Sequence, residues 1–418
     1  MRNFVKISML ALVAMATTAS AAELEFHGYG RLETGFNSKG GSLFSFALPG
    51  SDRKFRLGNE ADYVIEPGFE YKFVTLDDKS AYGVNVMPAM YRKLGAYKNG
   101  GDTIGEPLPV AFKQFYFFGN NIPQLLNGQI WAGRRYTERF ATGLDDAFVE
   151  NEDGEGAGIQ DMDLGFAKWT VYFGQEGTAS NVVKYGTHLT GIQTFSKDAA
   201  LQIWGRVYAH NQVKGSAKKD TGFSLSAFHT WNLGDLGSNL IGVKYAKDTD
   251  GAEGDNHPGL GTQGYWVFVQ HGINFASAKT SLEVLVKYRS TKNSKGGGPS
   301  NNSLIAGART DTQLSGPFRF LADVGYDYDK SSASGAKAQT LLKLTGALAV
   351  SGGNDPWSRP TFRLFYTQGI WNKAAEGSMG HVWINTDYSD AGVVRPEVTQ
   401  FDTSTSGATY GIQAEGWW

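Results

Sequence analysis

The stretch from Phe55 to Phe73 alternates between two kinds of side chain over its whole length. Successive side chains of a strand point to opposite faces, so this pattern predicts a strand with a different environment on each side. Strands of soluble proteins average about five or six residues. A longer one favours a transmembrane β-barrel, in which one face meets lipid and the other the lumen. The odd positions are Phe55, Leu57, Asn59, Ala61, Tyr63, Ile65, Pro67, Phe69, Tyr71 and Phe73, and the even ones include Lys54, Arg56, Glu60, Asp62, Glu66, Glu70 and Lys72.

The carboxyl-terminal stretch Tyr410–Trp418 alternates in the same way. Tyr410, Ile412 and Trp418 share one face, whereas Glu415 and Trp417 share the other. A terminal Trp-Trp exposed to water would be unfavourable in a soluble protein. In a barrel, Trp418 would lie in the interfacial aromatic girdle and Trp417 would face the lumen.

Several further segments have two distinct faces, and loop-forming residues rich in Gly, Asp, Asn and Lys separate them. No repeat of fixed length and no domain linker interrupts this pattern. We therefore predict an all-β chain that forms one transmembrane antiparallel β-barrel domain. The apolar and polar positions of these segments are Phe26, Leu32 and Phe36 against His27, Tyr29, Arg31 and Glu33; Leu201, Ile203 and Val207 against Gln202, Trp204, Arg206 and Tyr208; Leu282, Val284, Val286 and Tyr288 against Glu283 and Lys287; and Phe362, Leu364, Tyr366 and Ile370 against Trp357, Arg359, Arg363 and Trp371.

The amino-terminal residues have the composition of a secretory signal peptide. Arg2 and Lys6 precede the apolar run 7–16, which leads to the cleavage-type sequence Ala19-Ser20-Ala21. We therefore expect residues 1–21 to be a signal peptide and residues 22–418 to form the barrel.

Composition excludes several function classes. The chain has no cysteine, which rules out disulfides, thiolate metal sites and thiol catalysis. Its 39 basic and 41 acidic residues lack the basic excess of a nucleic-acid-binding protein. A mean hydropathy of −0.31 is compatible with a barrel, because only alternate residues face lipid.

The sequence contains no local motif that indicates catalysis or a cofactor. The seven histidines are scattered without metal-ligand spacing, and no nucleophile motif is present. The sequence therefore predicts no enzymatic activity and no cofactor.

Two other features suggest a selective pore. Aromatic residues lie on polar faces, where they could stack against the C–H faces of sugar rings; examples are Tyr29, Trp204, Trp357 and Trp417. An acidic stretch follows the strand around Trp131, and if it folds into the lumen its acids would oppose basic residues in a charged constriction. The stretch contains Asp145, Asp146, Glu150, Glu152, Asp153 and Glu155, and the opposing residues would be Arg31, Arg56 and Arg139.

Several motifs, in this order along the chain, resemble maltoporin, the LamB-type sugar porins. The resemblance implies an outer-membrane barrel, with 18 strands and a third loop folded into the lumen. It also implies a homotrimer that passes maltose and maltodextrins by facilitated diffusion along a line of aromatic residues called the greasy slide. The motifs are Phe26-His-Gly-Tyr-Gly-Arg31, Arg56-Leu-Gly-Asn-Glu60, Ile130-Trp-Ala-Gly-Arg-Arg-Tyr136, Gly156-Ala-Gly-Ile-Gln-Asp-Met-Asp-Leu-Gly-Phe166, Trp357-Ser-Arg-Pro360 and Trp417-Trp418.

The same resemblance implies roles for individual residues. Tyr29, Trp357 and Trp417 match slide positions. The polar sugar track and constriction would comprise Arg31, Arg56, Glu66, Lys113, Arg139, Asp146 and Phe148. For Lys113 the alternation does not decide the face, because Phe115 and Phe117 share its parity.

Departures from the family pattern leave the substrate open. A slide tyrosine is replaced by Val64, and Phe148 replaces a constriction tyrosine. We hypothesise that Trp204 restores part of the slide. The alternatives are a porin of the same fold for another oligosaccharide, such as sucrose or β-glucosides, and a surface receptor anchored by its barrel.

Overall fold

The computed structural model describes residues 23–41, 43–48, 55–93, 110–137, 139–145, 147–176, 182–210, 221–248, 262–293, 299–379, 401 and 403–418. The expected signal peptide, residues 1–21, lies outside these ranges. Within them, no helix has both the length and the apolar character to cross a membrane.

The described ranges contain twenty strands, of which eighteen form one sheet and two form a separate short hairpin. The strands are β1 Glu23–Asn37, β2 Asp62–Thr75, β3 Ala81–Lys93, β4 Val110–Ile122, β5 Gly128–Arg135, β6 Phe140–Thr142, β7 Ala147–Glu150, β8 Gly154–Asp163, β9 Lys168–Glu176, β10 Val182–Gln193, β11 Ala199–His210, β12 Thr221–Asn232, β13 Gly237–Lys247, β14 Thr262–Phe275, β15 Thr280–Asn293, β16 Asn301–Ser315, β17 Phe318–Ser331, β18 Gln339–Ser351, β19 Thr361–Trp371 and β20 Ser406–Trp417.

The sheet closes on itself. Each barrel strand pairs antiparallel with the barrel strands before and after it in the chain, and β1 pairs with both β2 and β20. Closure satisfies the backbone groups that an open sheet edge would leave unpaired. The prediction of an 18-stranded antiparallel barrel is thereby confirmed.

The alternation seen in the sequence separates the outside of the barrel from the inside. On β19, Phe362 and Leu364 are exposed outward, whereas Arg363 between them is buried inside. At the chain terminus the Trp418 ring lies on the outer side, with its centroid 5.6 Å from that of Phe26. The apolar outer belt and the terminal aromatic contact are those expected of a barrel in a membrane.

One end of the barrel carries tight turns. Gly316 lies in the short connection from β16 to β17 and adopts a φ of +50°, a conformation that costs little only for glycine. The connections at the other end include the two long ones that matter most here: loop 1, residues 38–61, and loop 3, residues 136–153.

The start of β2 differs from the prediction. The alternation suggested one strand from Phe55 onward, but β2 begins at Asp62, and residues 55–61 belong to loop 1. Phe55 and Leu57 are about 5% exposed and lie within the barrel, so their expected lipid-facing position is wrong. The alternation correctly indicated that odd and even positions have different environments. For Phe55 and Leu57, however, the apolar environment is the packed core under loop 1 and not lipid.

Loop 1 fits against the inner wall. The Phe55 ring fills a hollow at Gly307 and Gly325, where a Cβ atom would come within about 2.2 Å of the ring. The Lys343 ammonium donates a hydrogen bond of 2.8 Å to the Leu57 carbonyl oxygen. Glycines of the wall and a wall lysine thus hold loop 1 inside the barrel.

Loop 3 also folds inward, as the family resemblance implied. Its hairpin, β6–β7, places Phe140 flat against Phe228 of the wall, with ring centroids 4.2 Å apart. Leu144 and Val149 of the loop are buried in a hydrophobic cluster that also contains Phe55 of loop 1. The two loops therefore share one core with the wall.

Candidate functional site

A row of side chains crosses three adjacent strands on the inner wall. Tyr29 of β1 is the register partner of Glu66 on β2 and of Trp417 on β20. Directly opposed residues of neighbouring strands project from the same face. The barrel closure thus places two of the expected slide and track residues on either side of the third.

A single carboxylate organises the basic groups next to this row. Glu415 accepts hydrogen bonds from the Tyr29 hydroxyl at 3.1 Å, from Arg359 at 3.1 Å and from Arg363 at 2.9 Å. Arg56 of loop 1 approaches the same carboxylate at 3.4 Å. Hydrogen bonds between ionised groups are stronger than neutral ones, so this arrangement fixes the side chains it joins.

Loop 1 contributes a second carboxylate to the network. Glu60 binds Arg31 at 2.7 Å and Arg56 at 3.1 Å. Arg56 also donates to the Tyr29 hydroxyl at 2.8 Å. Arg31 and Arg56, expected on the sugar track, thus converge on Tyr29, although Arg56 reaches it from a loop.

Two tryptophan rings lie at one end of the row. The centroids of Trp357, in the turn 352–360 between β18 and β19, and of Trp417 are 6.4 Å apart. Trp357 is 71% exposed and Trp417 is 40% exposed. The Arg359 guanidinium covers one face of Trp417, 3.6 Å from its centroid. These rings offer apolar surface beside a set of hydrogen-bonding groups.

A second cluster surrounds Tyr136 at the start of loop 3. Its hydroxyl donates to Glu66 at 2.5 Å. The Arg139 guanidinium lies 3.3 Å from the Tyr136 ring centroid and 5.1 Å from that of Phe148. Arg139 also donates to Asp153 at 2.8 Å. Glu66, the register partner of Tyr29, therefore also belongs to this cluster. Arg139 and Phe148, which the resemblance assigns to the constriction, lie together in it.

A β-bulge settles the position of Lys113. The register between β3 and β4 shifts at this point, so that two consecutive residues, Lys113 and Gln114, are both buried inside. Phe112 and Phe115 on either side are exposed outward. An extra residue in one strand reverses the facing pattern beyond it, which explains why parity could not place Lys113.

The acidic stretch of loop 3 pairs with the opposite wall, contrary to the sequence expectation. The Lys287 ammonium binds Asp145 at 2.7 Å, and Glu150 binds both Arg206 and Lys244, the latter at 2.8 Å. All of these charged groups are buried.

Glu152 of loop 3 also binds groups of the barrel wall. It binds Lys184 at 3.1 Å and accepts a hydrogen bond of 2.7 Å from the Tyr208 hydroxyl. Among the described acids of the stretch, Asp153 is the one that bonds Arg139. Three of the five described acids therefore attach loop 3 to the wall instead of facing Arg31 and Arg56.

The placement of Trp204 corrects the hypothesis that it extends the slide. It is 5% exposed, stacks on His188 at 4.7 Å and contacts Phe140 and Phe228 edge to face. Loop 3 covers the ring and leaves too little of it exposed for a sugar to stack on it.

Two further positions complete the comparison with the sequence. Val64, where the resemblance implies a slide tyrosine, is buried on the inner side opposite Arg31 in register. Asp146 lies outside the described residues. Within the described part of the chain, no group of three or more histidine or acidic residues could hold a metal ion.

Sequence reasoning missed the groups that hold the expected residues in place: Glu60, Tyr136, Arg359, Arg363 and Glu415. Alternation had put Arg359, Arg363 and Glu415 on polar faces, but it contained no signal that they would meet. The strand register supplies that information.

Comparisons with known proteins agree with this architecture. The family model of the LamB porin matches residues 24–418. A BenF-like porin from Pseudomonas fluorescens Pf-5 is 10% identical, with a TM-score of 0.53 over 95% of this chain and 98% of that one. OpdK of Pseudomonas aeruginosa, solved with vanillate, is 8% identical, with a TM-score of 0.49 over 95% and 99%.

At 10% identity the BenF-like porin shows a shared fold alone. The family match covers nearly the whole chain, and it coincides with a closed barrel that has an apolar outer belt and inward-folded loops. This chain is an outer-membrane porin and belongs to the LamB porin family.

Proposed function

We propose that the chain is a sugar-selective porin for facilitated diffusion of maltose and maltodextrins. The observation that supports it most is the pair of partly exposed rings, Trp357 and Trp417, beside the network on Tyr29. A water-filled lumen has no need of exposed indole rings, whereas a sugar presents apolar C–H faces that stack on them and hydroxyls that bond the charged groups.

The polar groups would act on the sugar hydroxyls. As the rings hold one face of the sugar, Arg31, Arg56 and Glu66 exchange hydrogen bonds with the hydroxyls at its edge. Farther along, Arg139 and Phe148 line the constriction with Lys113. Transport requires each contact to be weak enough to release the sugar, so several modest sites serve better than one tight pocket. No bond is made or broken, and no cofactor is needed.

We further propose that residues 22–418 form the mature barrel and that it assembles as a homotrimer in the outer membrane. A secretory segment at residues 1–21 would deliver the chain across the inner membrane. Chemical cross-linking of the purified protein tests the trimer, and amino-terminal sequencing tests the cleavage site.

A second candidate is transport of a different oligosaccharide, such as sucrose or a β-glucoside. It is favoured by Val64 and Phe148, which remove two aromatic hydroxyls that the family pattern places on the sugar path. Fewer contacts along the path would weaken the advantage of a long maltodextrin chain.

Swelling of proteoliposomes in a panel of sugars distinguishes these functions. We expect maltose to enter faster than sucrose, which is a disaccharide of the same size. We expect maltotriose, although larger, also to enter faster than sucrose. Faster entry of sucrose would reject the maltodextrin assignment, and the absence of sugar-dependent swelling would favour a barrel that serves only as a receptor anchor.

A further inference from the structure

Arg359 occupies the junction between the two exposed tryptophans. Its side chain is 8% exposed, and its guanidinium lies over the Trp417 ring at 3.6 Å. It donates hydrogen bonds of 3.1 Å to each of the carbonyl oxygens of Pro356 and Ser358 and to the Glu415 carboxylate. One group thus has four contacts.

These contacts join two separate parts of the barrel. Pro356 and Ser358 flank Trp357 in the turn 352–360, whereas Glu415 and Trp417 belong to β20. The planar guanidinium has donors in fixed directions and can stack on a ring at the same time. Arg359 therefore ties the turn that carries one ring to the strand that carries the other.

We propose that Arg359 is a positioning residue that sets the separation and orientation of Trp357 and Trp417, and so the affinity of the pair for a ligand. The sugar identity of that ligand rests on the function proposed above. A sugar that spans two rings binds best when the rings are already in place, because binding then orders fewer side chains. By covering one face of Trp417, Arg359 also directs the ligand to the rest of that ring.

The ring geometry can be measured without any sugar. Two indoles at this distance couple electronically and give an exciton couplet in circular dichroism. Trp357→Phe and Trp417→Phe each remove one partner, so the couplet that both variants lose is the contribution of this pair among the ten tryptophans of the chain. We expect Arg359→Gln to lose this couplet and Arg359→Lys to lose most of it, because an ammonium lacks the planar fork.

Two matched variants control for the loss of an inward-facing arginine. Arg319 holds the same turn through the Asn354 carbonyl oxygen at 2.7 Å, and Arg309 binds Asp323 at 2.7 Å. Neither contact involves Trp417. Arg319→Lys and Arg309→Gln should both keep the couplet. Heat-dependent gel mobility shows which variants fold, and if Arg359→Gln does not, Arg359→Lys decides the result.

Sugar affinity provides the second readout. An aromatic contact contributes on the order of 1 kcal/mol, so we expect Arg359→Gln to weaken maltotriose block of the current about five- to tenfold. A retained couplet in the folded variants would overturn the proposal, as would a lost couplet with unchanged maltotriose affinity. If wild-type protein binds no sugar, the proposed function fails, while the couplet still decides whether Arg359 positions the rings.

Discussion

Replacing Glu150 with glutamine should release loop 3 from the wall. The carboxylate is buried and binds Arg206, Lys244 at 2.8 Å and the Ser226 hydroxyl. Glutamine has nearly the same shape but cannot compensate two buried cations. Removing one partner of a buried ion pair typically costs about 3–5 kcal/mol. Because each 1.4 kcal/mol changes an equilibrium about tenfold, the detached population should rise by roughly two to four orders of magnitude.

Single-channel recording measures this release directly. The substitution leaves the hydrogen bonds between the barrel strands unaffected, so the channel should still insert into the bilayer. Its conductance should be larger and its current noisier, because the β6–β7 hairpin of loop 3 can move. Glu155→Gln is the matched control, because Glu155 forms an exposed ion pair with Arg134 at 2.8 Å, and such pairs contribute little. Conductance and noise in Glu150→Gln equal to those of Glu155→Gln would refute the anchoring role.

The same site predicts a pH dependence. Burial alone would raise the pKa of Glu150, but Arg206 and Lys244 outweigh it and hold the pKa below the ordinary value of 4.5. A carboxyl group with a lowered pKa stabilises the attached state fully above its ordinary pKa, and this contribution is lost as the pH falls through the lowered value. Current noise in wild-type channels should therefore increase only in acid below the ordinary glutamate range. If the noise of Glu150→Gln rises with acid as steeply as that of the wild type, another group is responsible.

Four further substitutions test the docking of the two loops and the proposed sugar track. Gly325→Val should expel Phe55 from its hollow and raise single-channel conductance, because the added side chain would overlap the ring; unchanged conductance would contradict the docking of loop 1. Trp204→Ala should destabilise loop 3 by about 3–5 kcal/mol and raise conductance; a loss of maltotriose block at normal conductance would instead restore Trp204 to the slide. Trp417→Ala and Arg56→Ala should each weaken maltotriose block while ion conductance stays the same or rises, and unaltered block in both would exclude the proposed track.

Sequence reasoning succeeded where the fold is local. Alternation alone indicated the barrel and put Tyr29, Arg31, Glu66 and Trp417 on inner faces, because a strand has only two faces and lipid tolerates only one kind of side chain. The structure brings these residues together through strand register. Whether they bind sugar stays a prediction.

The failures have one physical cause. Alternation indicates that the two faces of a strand differ. It does not indicate whether the inner face is covered by water or by an inward-folded loop, and both occur here. The pattern predicts that Phe55 faces lipid and that Trp204 faces sugar, but both pack in the cluster that joins loops 1 and 3 to the wall. Their partners are distant in sequence, so no local pattern contains this information. The bulge at Lys113 is a smaller example of the same limit.

The most direct test of the proposed sugar path is current block in planar bilayers by maltohexaose compared with sucrose. We predict that maltohexaose blocks wild-type channels at lower concentration than sucrose, and that Trp417→Ala reduces this difference. Equal or stronger block by sucrose, or a maltohexaose block that survives Trp417→Ala unchanged, would contradict it.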